Sequence, residues 1–285
     1  SGTGNSVSYT HQAGFDVLEW LFATASNKVT FAAGAGGTVS TTGGWYAAGS
    51  NVTVTATPDA GFTFASWTGN VPEAQRYQAT LSFPAAEPVT AAAVFGQTYH
   101  VRTDGDDSAD GLSWATAKQT IEAAVAAAGG AGTIILSNGV HNVTSFWVEV
   151  TQPLTITSLN GPAVTSLKAA CAAFNPTQRR VMRVNHAGAL ISGLGMVSAY
   201  THDSAYAQPD AVNACALRID AGTVTNCWIL GSKGLDNSGG VDMRGGLLTH
   251  CVVANNTAHR TSNNPSEGKA GGIRLQAGTV QSCVI

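Results

Sequence analysis

The chain has 285 residues, enough for one large domain or two ordinary domains with buried cores. Apolar residues make up 44% and charged residues only 11%, against a charged share of roughly a quarter in typical soluble domains. This composition favours an extracellular all-β protein over a cytosolic helical one. The net charge of −3 argues against a nucleic-acid partner, and no apolar run is long enough for a membrane span.

Residues 1–27 give no clear pattern and are assigned to no domain. The segment FDVLEWLFA, residues 15–23, fits either a short amphipathic helix or a strand. Its aromatic side chains predict packing against another part of the protein.

Residues 28–97 show the alternation of a small all-β module. Short β-branched or aromatic runs are separated by Gly, Pro and Asn turn residues: KVTFAA, NVTVTATP, FTFASW, ATLSF and VTAAAVF. Phe62, Phe64 and Trp67 form one aromatic cluster. We interpret the cluster as the module's core, and the alternative is an exposed platform for a ligand.

Three phrases in this module carry a family resemblance: GAGGTVS, GWYAAGSNVTVTATPDAGFTFASWTG and PVTAAAVF. They closely resemble the internalin B-repeat-like family, a bacterial surface module, over its whole length. The residues that stand where the family has them are Gly36, Gly37, Tyr46, Gly49, Gly61, Phe62 and Trp67. The resemblance implies a spacer or adhesive unit rather than an enzyme.

Residues 98–285 form a second predicted unit. An Asp- and Gly-rich loop is followed by ATAKQTIEAAVAAA, whose apolar positions Ile121, Val125 and Ala128 predict a helix, and then by the buried strand GTIIL. This order, with DGLSWATA before the helix, resembles the start of right-handed parallel β-helix proteins of the pectate-lyase-like superfamily. The resemblance implies a solenoid whose N-terminal end is capped by the helix.

One phrase recurs three times in this unit, as DAGTVTNCWI, RGGLLTHCVV and QAGTVQSCVI. Cys251 follows Cys227 by 24 residues, and Cys283 follows Cys251 by 32, which fits one turn of a coil with the surplus in loops. The phrases align apolar positions that we expect to face inward and glycines that we expect at a bend: Leu217, Val241 and Ile273; Ile219, Met243 and Leu275; Gly222, Gly246 and Gly278; Val224, Leu248 and Val280.

Earlier repeats are looser. RVMRVNHAGALISGLGM fits with Gly188 at the bend and Gly193 in the cysteine column, and QPLTITSLNG fits less well, which gives at least five turns between Gly132 and Ile285. Nothing polar follows the last phrase. We therefore expect that Ile285 is not a natural domain boundary, and that further turns, a partner or a second copy cover this end.

The five cysteines are Cys171, Cys215, Cys227, Cys251 and Cys283. None forms C-x-x-C and no His stands at zinc-finger spacing, so a zinc site is disfavoured. We call Cys227, Cys251 and Cys283 the cysteine row. Strands stacked in register hold such side chains parallel, which predicts free thiols there rather than disulfides.

Charged residues line up in the same repeats. Arg218, Asp242 and Arg274 share one outward column, and Asp220, Arg244 and Gln276 share the next. Their alternating sign favours a structural ladder of cross-strand ion pairs. The alternative is a catalytic Asp/Arg site of the kind polysaccharide lyases use, made by Arg218, Asp220, Asp242 and Arg244.

Two loops are candidates for binding. DGDDSADG has four carboxylates without EF-hand spacing, so it is either a calcium site or a solvated turn: Asp104, Asp106, Asp107 and Asp110. The loop over residues 198–210 is either a carbohydrate contact or a plain surface loop, with aromatic and polar side chains suited to sugars: Tyr200, His202, Asp203, Tyr206 and Asp210.

We therefore expect a non-enzymatic bacterial cell-surface or extracellular protein, structural or adhesive, and part of a larger or self-assembling fibre-like protein. Its expected partner is a carbohydrate or a host-cell ligand, and calcium is the one candidate cofactor. The alternative is a carbohydrate-active enzyme, a polysaccharide lyase or glycosidase, that works in a groove on the β-helix.

Overall fold

The computed structural model describes residues 25–145, 147–169, 180–197, 216–235, 238–259 and 270–285. Regular structure in these ranges is nearly all β strand, with one α-helix and extensive parallel sheets. The expectation of an all-β fold with parallel strands is confirmed. The segment at residues 15–23 lies outside the described residues.

The N-terminal module consists of two small packed sheets. Its strands are β1 (Ser26–Ala33), β2 (Gly37–Val39), β3 (Gly43–Ala47), β4 (Asn51–Pro58), β5 (Phe62–Gly69), β6 (Thr80–Pro84) and β7 (Val89–Val101). Strands β2, β4 and β6 form an antiparallel sheet, and β3, β1, β7 and β5 lie side by side in the other. In β4 the alternation of Val and Thr buries Val52, Val54 and Ala56 and turns the threonines outward.

The aromatic cluster is part of the module's core. Trp67 is only 1% exposed, its ring centroid is 5.9 Å from that of Phe31 and 5.8 Å from that of Phe64, and its Nε1 donates to the Gln78 carbonyl at 3.0 Å. Phe62 and Phe64 are half-buried and pack against the same core. A buried indole with a satisfied N–H is typical of a core residue.

Strand β7 joins the module to the second unit. It pairs antiparallel with β5, and its last five residues pair in parallel with β8 (Gly132–Leu136), so the predicted boundary at residues 97 and 98 lies within one strand. Away from this strand, the Tyr77 ring meets the His186 ring edge-on at 5.9 Å. Gly188 lies so close that an added Cβ would stand 2.2 Å from Tyr77 Cε1. The two units therefore share a sheet and a second contact.

Within its described residues, the second unit contains one helix and fourteen strands. They are α1 (Ile121–Ala128), β8, β9 (Gly139–Val143), β10 (Val148–Val150), β11 (Leu154–Ser158), β12 (Thr165–Ala169), β13 (Met182–Ser192), β14 (Gly195–Val197), β15 (Leu217–Thr225), β16 (Trp228–Leu230), β17 (Lys233–Leu235), β18 (Val241–Thr249), β19 (Val252–Ala254), β20 (Thr257–His259) and β21 (Ile273–Gln281). One parallel sheet runs β21-β18-β15-β13-β11-β8-β7, and another runs β19-β16-β14-β12-β9.

Helix α1 begins later than its sequence pattern predicts. The Asp107 carboxylate accepts the backbone N–H groups of Gln119 and Thr120 at 2.8 Å and the Thr120 hydroxyl at 2.8 Å. Thr120 is the N-cap, because its Oγ1 accepts from Ala123 N at 3.2 Å. These bonds hold Gln119 and Thr120 in a bend outside the helix, so the helix starts at Ile121.

The repeated phrases pair in the predicted register. Leu217 stands opposite Val241, and Val241 opposite Ile273, with all but Ile273 fully buried in one apolar core. The glycines at the predicted bend have φ angles of 91°, 72° and 94°, in the left-handed region that favours glycine: Gly222, Gly246 and Gly278. At Gly222 an added Cβ would also lie 2.6 Å from the His186 carbonyl oxygen.

The predicted places of Gly188 at the bend and of Gly193 in the cysteine column are each wrong by one residue. Leu190 pairs with Thr223, so Ala189 rather than Gly188 stands opposite Gly222, and Gly188 has no left-handed φ angle. Ser192 pairs with Thr225, so Gly193 stands opposite Asn226 and Leu194 stands opposite Cys227. Gly193 and Asn226 both have left-handed φ angles, 66° and 50°. The shared feature of these repeats is thus a left-handed turn before an inward side chain, and Gly193 supplies the turn.

Candidate functional site

Charged side chains from five adjacent parallel strands line one face of the larger sheet. The ionic row, as we name it, consists of Glu149 on β10, Arg183 on β13, Arg218 on β15, Asp242 on β18 and Arg274 on β21, each in register with the next. Because strand side chains alternate between faces, these groups point away from the apolar core to which their neighbours belong.

Asp220 connects the first half of the row. It accepts from Arg183 Nε at 2.7 Å and from Arg218 Nε at 2.9 Å, and Arg183 also lies 3.5 Å from the Glu149 carboxylate. Burial raises the pKa of Asp220, but hydrogen bonds from Arg218 and Arg183 outweigh that effect, and its pKa is lowered. Asp220 is therefore held as a carboxylate between two guanidinium groups.

Asp242 organises the second half of the row, and its side chain is fully buried. It accepts from Arg244 Nε at 3.0 Å and from Gln276 Nε2 at 3.1 Å, and Arg274 lies 3.8 Å away. Gln276 departs from its predicted column, because a register shift places Ala277 opposite Arg244. The shift turns the Gln276 amide toward Asp242.

The structure brings the four catalytic candidates into one network. However, the carboxylates of Asp220 and Asp242 already accept two or more hydrogen bonds or ion pairs, and the side chains of Asp242 and Arg218 are only 0% and 7% exposed. A carboxylate in this position can bind guanidinium groups of adjacent strands but cannot easily reach a substrate in solvent. The geometry suits ion pairs that fix strand register.

Sequence reasoning missed Glu149 and Arg183 as members of this network. Arg183 carried a usable signal, since VMRV repeats the pattern of an arginine between two core positions that LRI has around Arg218. Glu149 stands between two valines in β10, whose burial gives the same alternation. Both belong to repeats that the recurring phrase does not cover.

The four carboxylates of the Asp-rich loop each take part in a separate interaction. Asp104 accepts from Arg102 at 2.7 Å, Asp106 from Ser108 N at 2.8 Å, Asp110 from Leu112 N at 2.9 Å, and Asp107 fixes the start of α1. In the described ranges no three His, Cys, Asp or Glu side chains form a group that could hold a metal ion. The calcium site stays a prediction.

The carbohydrate-contact candidates Tyr200, His202, Asp203, Tyr206 and Asp210 lie outside the described residues, as do Cys171 and Cys215. The carbohydrate contact stays a prediction. The cysteine row is described: Cys227 and Cys251 are buried, Cys283 is half-buried, and all three are free thiols, as expected.

The geometry of residues 26–97 defines the class of this part of the chain, a small two-sheet β-module with an aromatic core. Residues 27–98 match the model of the divergent InlB B-repeat domain, which is typical of bacterial surface proteins. No curated protein and no solved structure is significantly similar to the chain. Among the described helices, none has the length and apolarity needed to cross a membrane.

Proposed function

We propose that the chain is a non-enzymatic bacterial cell-surface or extracellular protein with a structural or adhesive role. The match of residues 27–98 to the divergent InlB B-repeat domain carries this proposal, since that domain is typical of bacterial surface proteins. The small share of charged residues and the glycine-rich composition agree with an extracellular location.

In this proposal residues 98–285 wind as a right-handed parallel β-helix. Strands that follow one another in the chain alternate between two parallel sheets, as β13, β14, β15 and β16 do, and corresponding strands pair in register. Glycines with left-handed φ angles recur at one bend. Helix α1 packs against β7 and β8, the position expected of a cap on the first turn.

The role of the ionic row in this proposal is to stabilise the coil. The ion pairs between strands penalise a register slip, because a shift of one residue would place each charge in the apolar core. The coil would then serve as a rigid support for surface loops. The loop over residues 198–210 is our candidate contact for a carbohydrate or a host-cell ligand.

Protease treatment of intact producing cells tests the location. We expect brief trypsin treatment to release peptides of this chain, with cleavage at exposed sites, while a cytosolic marker protein stays intact. Release only after lysis would contradict the proposal. Beads coated with the folded chain, compared with beads coated with heat-unfolded chain, would then measure adhesion to host-cell monolayers.

A carbohydrate-active enzyme is the second candidate function, and one observation favours it. The side chains of Arg183, Arg244 and Arg274 are 26%, 28% and 32% exposed beside their carboxylate partners. Guanidinium groups at a surface suit acidic polysaccharides. Cleavage of a polyuronate or sulfated glycan by the wild type, and its loss in the folded Arg244→Ala variant, would establish this function in place of the first.

A further inference from the structure

The three thiols of the cysteine row have equivalent surroundings. Each sulfur lies 3.2 Å from the carbonyl oxygen two residues earlier and 3.7 to 3.9 Å from a carbonyl oxygen of the preceding strand: Thr225 and Ile191 for Cys227, Thr249 and Val224 for Cys251, Gln281 and Leu248 for Cys283. The backbones beside them are in register, with Val252 N donating to Cys227 O and Val284 N to Cys251 O, both at 2.9 Å. The sulfurs are therefore related by one strand spacing, about 4.8 Å.

This spacing excludes a disulfide between neighbouring thiols but leaves room for a metal ion between them. A disulfide needs Cβ atoms about 3.8 Å apart, whereas parallel side chains on stacked strands keep them near 4.8 Å. Two collinear bonds of about 2.3 Å, the length of a zinc–thiolate bond, would span about 4.6 Å, close to the strand spacing.

We propose that neighbouring thiols of the cysteine row bind a soft, two-coordinate cation of the Cu(I) class, with Cys251 as the ligand common to both pairs. Thiolate sulfur is the ligand that such soft ions prefer. Binding removes one proton from each of two thiols and forms two Cu–S bonds, so the complex carries one negative charge and the copper stays Cu(I). This inference does not depend on the proposed function.

One feature of the row favours this chemistry at Cys251. Its sulfur accepts a hydrogen bond from the backbone N–H of Cys227 at 3.4 Å, which stabilises negative charge on the sulfur. The outer sulfurs of Cys227 and Cys283 lie about two strand spacings apart, so the three thiols cannot share one ion.

Copper retention by cysteine variants tests the proposal. The full chain with Cys171→Ala and Cys215→Ala, which leaves only the thiols of the row, is equilibrated without oxygen against Cu(I) and a coloured Cu(I) chelator. We expect Cys251→Ala to weaken copper retention by more than about a hundredfold, because the loss of a residue that only supports a ligand already weakens metal binding by about 10- to 100-fold. Cys227→Ala and Cys283→Ala should each still retain one ion.

Independent binding by single thiols would lower retention equally in all three variants, and that result would overturn the proposal. The double variant Cys227→Ala/Cys283→Ala keeps Cys251 alone and should lose the ion. It therefore tests the proposal even if the Cys251→Ala variant fails to fold. X-ray absorption of the Cu(I)-loaded chain should show two sulfur neighbours. Nitrogen or oxygen neighbours, or no retention above the variant lacking the row's thiols, would also overturn it.

Discussion

Replacing Asp242 by alanine is the perturbation that should most affect the stability of the second unit. Its side chain is fully buried, and it accepts from Arg244 at 3.0 Å and from Gln276 at 3.1 Å. Removal leaves the guanidinium groups of Arg244 and Arg274 without this carboxylate in a partly buried site. The Asp242→Asn variant removes the charge while keeping the side-chain volume, so it separates the loss of charge from the creation of a cavity.

The expected cost follows from the burial of the partners. Removing one member of a buried ion pair costs about 3–5 kcal/mol, because the other charge stays uncompensated. The side chains of Arg244 and Arg274 are 28% and 32% exposed, so water screens part of that charge. We therefore expect Asp242→Ala to lower the free energy of unfolding by about 3 kcal/mol, the low end of this range.

Urea unfolding, followed by both fluorescence and circular dichroism, measures this cost. Asp104→Ala is the matched control, since Asp104 pairs with Arg102 at 2.7 Å but its side chain is 72% exposed. An exposed pair contributes far less to stability than a buried one, because water screens both charges. Equal costs for the two variants would refute the assignment of the ionic row as a buried stabilising network, and a gain in stability for Asp242→Ala would favour a functional site held under strain.

Three further predictions test the contact between the units, the bend and the ionic row. Gly188→Ala should lower the stability of the chain by about 1 kcal/mol or more, because its Cβ would meet the Tyr77 ring. Thermal melting should show that the same substitution costs much less in a Tyr77→Ala background. An equal loss in both backgrounds would contradict the contact. Gly222→Ala should lower the free energy of unfolding in urea by about 2–4 kcal/mol, and Gly231→Ala by only about 1 kcal/mol. Both glycines have left-handed φ angles, but only Gly222 lacks room for a Cβ. Equal costs would argue against the crowded bend. The pKa of Asp220 is lowered on folding, so its contribution to stability is present above the unfolded-state pKa of about 3.9 and is lost as pH falls below that value. Stability measured against pH should therefore fall less steeply in acid for Asp220→Asn than for the wild type. An unchanged fall in acid would contradict the pairing.

The repeat pattern predicts the core of the second unit because it depends on alternation alone. Leu217, Val241 and Ile273 recur with a polar residue after each, and such a pattern has one arrangement in which every apolar side chain faces the same side. The bend glycines of the three recurring phrases follow from the same alignment, whereas Gly188 of the looser repeat does not lie at the bend. The misplacement of Gly193 shows where alignment of the repeats fails. Its repeat lacks the cysteine that fixes the alignment of the three recurring phrases, so the glycine aligns with the neighbouring column.

The burial of the charged column could not be predicted from the repeats. A column of Arg and Asp that points away from the core is ordinarily solvated, whereas the Asp242 side chain is 0% exposed. What covers a sheet face depends on contacts between segments distant in sequence. The alternating sign indicated ion pairs, but Arg183 and Glu149 extend the network beyond the phrases that carried the prediction.

The start of α1 illustrates a different limit. Helix-forming residues extend from residue 115, but Asp107 binds the backbone of Gln119 and Thr120 and prevents an earlier start. The same contact gives one carboxylate of the Asp-rich loop a structural role that the spacing of the four aspartates does not reveal. Local propensity is thus overridden by a side chain twelve residues away from Gln119.

The most direct test of the account is an assay for cleavage of acidic glycans by the full chain. Polygalacturonate, alginate and sulfated glycans, with and without calcium, would be followed for unsaturated products and new reducing ends. If the protein is structural or adhesive and arginines hold Asp220 and Asp242, the wild type and the Arg244→Ala variant should give the same background signal. Turnover by the wild type that disappears in a folded Arg244→Ala variant would contradict the account and assign the ionic row to catalysis.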